Sequence, residues 1–183
     1  MKTRNRLWLI SLFIWTASEM PAADFVAVRS DGFTDTGNVL AYVLPATALG
    51  LTAWYKDREG TWEFAESATI TMAVTFGLKY AIHARRPSGE LHSFPSGHAA
   101  ITFSSAEFLR KRYGWKLGVP AYLFASYVGY SRVRAHEHYS RDVVAGAAIG
   151  FATTYLVTKP FHGWQVQARV DRDFRGWMVS REY

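Results

Sequence analysis

A chain of 183 residues with no stretch rich enough in Pro, Gly or Ser to act as a linker is long enough for one core and too short for two comfortable domains. Hydrophobic residues make up 49% and aromatic residues 16%, and mean hydropathy lies near zero, between an ordinary soluble protein and a polytopic membrane protein. The lack of cysteine excludes a disulfide framework, thiol catalysis and cysteine-ligated zinc. The net charge of +6 does not point to nucleic acid, because the basic residues are scattered among apolar segments and no nucleic-acid motif accompanies them. A surface beside anionic lipid, or a site for an anionic substrate, accounts for the excess equally well.

In chain order, Lys2, Arg4 and Arg6 flank an apolar run over residues 7–17, with small residues at Pro21-Ala22-Ala23, so residues 1–23 read as a signal peptide or an N-terminal anchor. A polar stretch over 24–38 precedes an uncharged apolar run over 39–55, read as the first helix. A second helical stretch is predicted over 62–84, with Phe64, Ala68, Met72, Thr75 and Leu78 at spacings of three and four, and Arg86-Pro87-Ser88-Gly89 stops it. Pro95-Ser96-Gly97-His98 opens a third helix to about Arg112. A fourth is expected over 117–130, beginning around Pro120, and a fifth over 143–158. The tail over 164–170 alternates apolar and polar residues like a strand. The expected architecture is all-α, an antiparallel bundle of about five to six helices with short loops over residues 24–160, followed by a tail over 161–183 with room for a short strand pair.

Antiparallel succession brings the linkers over 85–96 and 131–141 to one pole. The other pole receives Lys56, Arg58, Arg110, Lys111, Arg112, Lys116 and Lys159, the asymmetry of cytoplasmic loops, so the first pole is expected to face outward. Tryptophans at the predicted helix ends suit a membrane interface. Only the runs over 39–55 and 143–158 approach the roughly 20 apolar residues of a spanning helix, which keeps a soluble periplasmic protein open as the alternative.

The first pole collects chemistry. Lys79, Arg86 and Arg132 offer three cations for the three equatorial oxygens of a transferring phosphoryl group. Pro95 and Ser96 leave helix-start N–H groups unpaired, and Gly97 lets that backbone approach an anion. His138 and Asp142, four apart, share a face if a helix has begun, so the carboxylate can hold one ring nitrogen and leave the other to attack phosphorus. His98, on another helix, is then placed to protonate the leaving oxygen. Taken singly, each is more often an ordinary cap, stop or solvated face; it is their joint placement that favours function. Glu137 reads as a salt-bridge partner for a nearby Arg, and His92 as a neighbour of substrate. His136 and His138 beside two arginines make a poor zinc site, so no metal is expected.

The segments Lys79-x6-Arg86-Pro87, Pro95-Ser96-Gly97-His98 and Ser131-Arg132-x5-His138-x3-Asp142 resemble the three-part signature of the type 2 phosphatidic acid phosphatase (PAP2) superfamily, which also includes bacterial class A acid phosphatases and vanadium haloperoxidases. The resemblance spans residues 79–142. It implies that Lys79, Arg86, Ser96, Gly97 and Arg132 bind phosphate, that His98 is the acid, His138 the nucleophile and Asp142 its orienter, and that no cofactor or metal is required. Arg85 departs from the pattern by placing a second cation beside Arg86. The expected substrate is a lipid phosphate or pyrophosphate, such as a polyprenyl pyrophosphate, phosphatidylglycerol phosphate or lipid A. The expected setting is the outer face of the inner membrane, with no nucleic acid and no obligate protein partner. A broad-specificity soluble acid phosphatase and a non-catalytic anionic-lipid-binding protein are the alternatives.

Overall fold

The computed structural model describes residues 32–161, 164–170 and 175–181. Among them are five helices, α1 (Gly32–Trp54), α2 (Arg58–Ile82), α3 (Gly97–Tyr113), α4 (Trp115–Arg134) and α5 (Ser140–Val157), and a hairpin of β1 (Trp164–Val170) and β2 (Arg175–Arg181). The strands are antiparallel, with Gln167 opposite Met178. The helical bundle and the tail strand pair agree with expectation, whereas the expected signal or anchor over 1–23 lies outside the described residues.

α3 is the central helix. Most of its length is buried, and it packs most extensively on α5 and α4. Its inward residues are small or hydroxylated, with Ala99, Ala100, Thr102, Ser104, Ser105 and Ala106 all enclosed. Contact with α5 is backbone to backbone. A Cβ on Gly146 would lie 2.3 Å from the Ser96 carbonyl oxygen, and one on Gly150 would lie 2.1 Å from that of Ala100. Glycines four apart therefore let α5 lie directly on α3, as small residues do wherever helices approach closely. The two helices are further tied by Ser104 Oγ to Thr154 Oγ1 at 2.7 Å, and α2 joins α5 through Thr71 and Thr153 at 2.5 Å.

The apolar cluster of Leu44, Phe64, Phe108, Leu109 and Ala125 is small beside the number of buried Thr and Ser. Large apolar side chains stand outside instead, among them Val39, Val43 and Leu49 on α1, Val119, Leu123 and Phe124 on α4, and Val144, Phe151 and Leu156 on α5. Aromatic residues mark the two ends of this belt, Tyr80, Tyr130 and Tyr139 at one and Trp54, Tyr55 and Trp115 at the other. Among the described residues, no helix is long and apolar enough to cross a membrane.

Three expectations are corrected. α1 starts at Gly32, not at 39, because its polar first turns are buried against α4: Thr34 and Gly37 are enclosed there. α4 starts at Trp115 with Pro120 inside it, because α3 and α4 turn tightly at Gly114 and Gly118 lies against Arg110. Arg112, counted among the basic loop residues, is not a surface charge. It is 3% exposed, donates to both oxygens of Asp57 at 2.7 and 2.6 Å, and also reaches Glu63 and the carbonyls of Lys159 and Pro160. Tyr113 donates to the same Asp57, which also caps α2 through Gly60 N–H, so one ionic knot ties the ends of three helices at that pole.

Candidate active site

The opposite pole is built from the start of α1, the end of α2, the loop to α3, the end of α4 and the turn into α5. Ser96 caps α3: its hydroxyl accepts from Ala99 N–H at 3.4 Å, and its own N–H donates to the Asp142 carbonyl at 2.9 Å. The first N–H groups of α3 have no partner within the helix. Beside Gly97 the nearest atom a Cβ would meet is Met72 Cε at 4.0 Å, so the backbone there borders open space.

His138 precedes α5 instead of lying on it, since the helix begins at Ser140 after Tyr139. The i, i+4 helical face expected for His138 and Asp142 is therefore not what joins them. Asp142 sits in the first turn of α5 and folds its carboxylate back over the turn. Its Oδ2 accepts from Tyr139 N–H at 3.1 Å and from Ser93 Oγ at 2.5 Å. His138 Nδ1 lies 3.8 Å from that oxygen, and Nδ1 and Asp142 Oδ1 are both buried without a hydrogen-bond partner. The pair lies just beyond hydrogen-bond length, and catalytic hydrogen bonds often tighten only once substrate is bound.

Three cations surround the imidazoles. Lys79 Nζ donates to the His92 carbonyl at 2.6 Å. Arg86, with its side chain 15% exposed, donates through NH1 to Glu137 at 2.5 Å and lies 3.3 Å from Glu90, while its buried Nε has no partner. Arg85 is exposed, which leaves Arg86 as the inward-facing cation of the two. Arg132 is 2% exposed and reaches Asn38 Oδ1, the Thr34 carbonyl and Ser131 Oγ. Burial and these charges hold both imidazoles neutral. The pKa of His98 falls to about 3 through burial and then Arg132, Arg86 and Lys79. That of His138 falls to about 2 through burial and then Lys79, Arg86 and His98.

Every predicted site residue thus lies at one pole, where Lys79 and Arg86 act electrostatically on both imidazoles and Arg132 acts on His98. Sequence reasoning missed Ser93, Thr34 and Asn38. Neither Ser93 nor the first turns of α1 carries a local signal, because each is brought in by tertiary contact alone. Glu137 is paired with Arg86 as expected. Among the described residues, no three His, Asp or Glu side chains are grouped to hold a metal ion.

Comparison with known proteins identifies the family to which this bundle belongs. Residues 60–165 match the PAP2 superfamily. Over 156 residues the chain is 31% identical to the lipid A 4'-phosphatase of Helicobacter pylori, covering 78% of each protein. Over 132 residues it is 32% identical to the lipid A 1-phosphatase of Porphyromonas gingivalis, covering 67% of this chain and 28% of that protein. Its fold resembles Aquifex aeolicus LpxE, with TM-score 0.60 and 22% identity over 70% of this chain and 87% of that one. It also resembles the first transmembrane PAP2 type phosphatidylglycerolphosphate phosphatase from Bacillus subtilis, with TM-score 0.53 and 21% identity over 81% and 93%. The chain belongs to the PAP2 superfamily and is a phosphatase of that type.

Proposed function

We propose that this phosphatase removes a phosphate from a lipid phosphate or pyrophosphate at the outer face of the inner membrane, through a phosphohistidine on His138. The observation that carries the reading is the unclosed pair of His138 Nδ1 and Asp142 Oδ2, 3.8 Å apart and buried beside Lys79 and Arg86. An imidazole held neutral keeps the lone pair that a nucleophile needs, and a carboxylate beside its other nitrogen stabilises the positive charge that develops on attack. His138 forms a bond to phosphorus as the bond to the leaving oxygen breaks, and that oxygen takes a proton from His98. Water then attacks the phosphohistidine, giving its proton back to His98 and releasing phosphate.

Burial and the neighbouring cations hold His98 neutral, so the acid has to be charged when substrate binds. An incoming phosphate offsets the Arg132, Arg86 and Lys79 charges that depress the His98 pKa, which raises it and lets the ring hold the proton that the leaving group requires. Lys79, Arg86 and Arg132, with the backbone donors at Ser96 and Gly97, would hold the three phosphoryl oxygens. Positive charge for the transition state comes from these side chains, so the reaction as drawn has no step for a metal ion.

A lipid substrate is supported by two observations. The relatives named above act on lipid A, and one structural neighbour acts on phosphatidylglycerolphosphate. The bundle also turns its large apolar side chains outward and its hydroxyls inward, with aromatic residues at both ends of the belt, an arrangement suited to contact with acyl chains. The site pole is at one end of that belt, where a headgroup would lie. A soluble periplasmic phosphatase is the second reading; release by a carbonate wash would select it.

The decisive experiment measures phosphate release from lipid phosphates, lipid pyrophosphates and soluble monoesters, by the wild type and His138→Ala, with and without EDTA. The expected result is EDTA-resistant release from a lipid substrate, reduced by about 10^4-fold or more in His138→Ala with folding intact, as for loss of a nucleophile. Full activity of His138→Ala would refute the mechanism.

A further inference from the structure

We infer that Asn38, with the turn of α1 around Gly37, is a positioning residue of the phosphate site that holds Arg132 without cancelling its charge. The inference rests on the phosphatase reading above and assigns α1 a part in it.

Arg132 lies in the last turn of α4 and is almost wholly enclosed. A guanidinium has five N–H donors in a rigid fork, so its neighbours decide where the fork points. Here Nε and NH2 donate to Ser131 Oγ at 3.2 and 3.1 Å, NH2 also donates to the Thr34 carbonyl at 3.0 Å, and NH1 donates to Asn38 Oδ1 at 2.6 Å. All of these acceptors are neutral. Among the described residues, no carboxylate lies within ion-pair distance of Arg132; Glu137 and Asp35 act on it only at longer range.

Burying a charge beside neutral acceptors is unusual, since a carboxylate is the common partner of a buried arginine. In an anion site it is the arrangement that serves. An amide oxygen orients the fork less firmly than a carboxylate would, yet it leaves the full positive potential for the phosphoryl group. Asparagine at position 38 meets that need and aspartate would not.

The close approach that delivers the amide depends on Gly37. A Cβ there would fall 2.1 Å from Ser131 Oγ and 3.0 Å from Arg132 NH2, so any side chain would push α1 away from the guanidinium. This accounts for helix over residues 32–38, whose composition reads as loop: the segment is held in place by the arginine it positions.

The test uses the full chain with orthovanadate, a phosphate analogue, as the titrated probe, and p-nitrophenyl phosphate as the turnover substrate. Asn38→Ala removes the orienting acceptor, and Asn38→Asp keeps the acceptor but adds the opposing charge. Both are expected to weaken vanadate binding about tenfold and to raise KM by a similar factor, the range for one hydrogen bond to a charged group. In Asn38→Asp the melting temperature is expected to hold or rise while vanadate binding falls, a divergence that a merely structural residue would not produce. Thr36→Ala, on the exposed side of the same turn, is expected to change neither reading. Unchanged vanadate affinity in Asn38→Asp overturns the inference, and this variant decides alone should Asn38→Ala fail to fold. Vanadate binding by a wild type that hydrolyses nothing would defeat the phosphatase reading while the Asn38 comparison still stood. A wild type that binds no vanadate would overturn both.

Discussion

Arg112 and Arg132 are buried to nearly the same degree, close to the C-terminal ends of successive antiparallel helices, and so at opposite poles of the bundle. Arg112 meets Asp57 through two donors, Glu63 through a third, and backbone carbonyls besides. Arg132 meets an amide, a hydroxyl and a carbonyl. The difference teaches what each pole is for. A buried charge matched by carboxylates is consumed in holding helix ends together, whereas one held by neutral groups keeps its field for something that arrives from outside. Of the five buried side-chain atoms left without a hydrogen bond among the described residues, three, His138 Nδ1, Asp142 Oδ1 and Arg86 Nε, lie at the second pole, whereas Thr158 Oγ1 lies at the first.

The comparison is broken most forcefully at Arg112. Arg112→Ala strands Asp57 and Glu63 in the interior and is expected to cost about 3–5 kcal/mol, the penalty for leaving buried charges unpaired. Asp57→Ala should cost a similar amount. Joint replacement should cost less than the sum of the two single changes, which a double-mutant cycle followed by denaturant unfolding measures. Vanadate affinity per folded molecule should be unaltered in all three. If Arg112→Ala weakened vanadate binding while leaving stability intact, the two poles would not differ as described.

A smaller effect comes from acid. The folded-state pKa values of His98 and His138, about 3 and about 2, lie below the ordinary 6.5. Between these limits the unfolded chain binds more protons than the folded one, so stability rises with pH. The histidine contribution is complete above pH 6.5 and is lost as pH falls through that value toward 3. By pH 5 the loss is on the order of 2 kcal/mol for each ring. Asp57, whose pKa falls below 3.8 because Arg112, Gly60 N–H and Tyr113 outweigh burial, keeps its contribution at pH 5 and begins to lose it only as pH falls below 3.8. Denaturant midpoints at pH 7 and pH 5 should therefore fall less in His98→Gln and His138→Gln than in the wild type. Equal falls would mean that the imidazoles are not held neutral.

How much of this was legible beforehand depended on the range of the interaction. Helix count and order were readable because apolar runs and Gly or Pro stops are local. The site residues from Lys79 to Asp142 were readable because antiparallel succession alone brings their loops together. The role of Arg112 was hidden, since its sequence neighbours are basic and its carboxylate partners lie about 50 residues away. The first turns of α1 were hidden for the same reason. Their Gly, Thr and Asn favour turns locally, and it is contact with α4, through Arg132 and through Tyr127 and Tyr130 on Phe33, that makes a helix of them. Ser93, which donates to Asp142 across the loop, had no periodicity to betray it.

The comparison is sharpened at Arg86, which stands between the two extremes: one strong carboxylate partner in Glu137, a weaker one in Glu90, and a buried Nε with none. If Glu137 only partly cancels the charge, Glu137→Gln, which keeps an acceptor oxygen and removes the negative charge, should tighten vanadate binding. The pair is largely but not wholly enclosed, so the gain is held to about fivefold, near 1 kcal/mol, and should shrink as salt is raised. Weaker binding in Glu137→Gln would assign the carboxylate the opposite duty, that of aiming Arg86 at the phosphoryl group as Asn38 aims Arg132. The sign of that one change separates a residue that tempers the anion site from one that builds it.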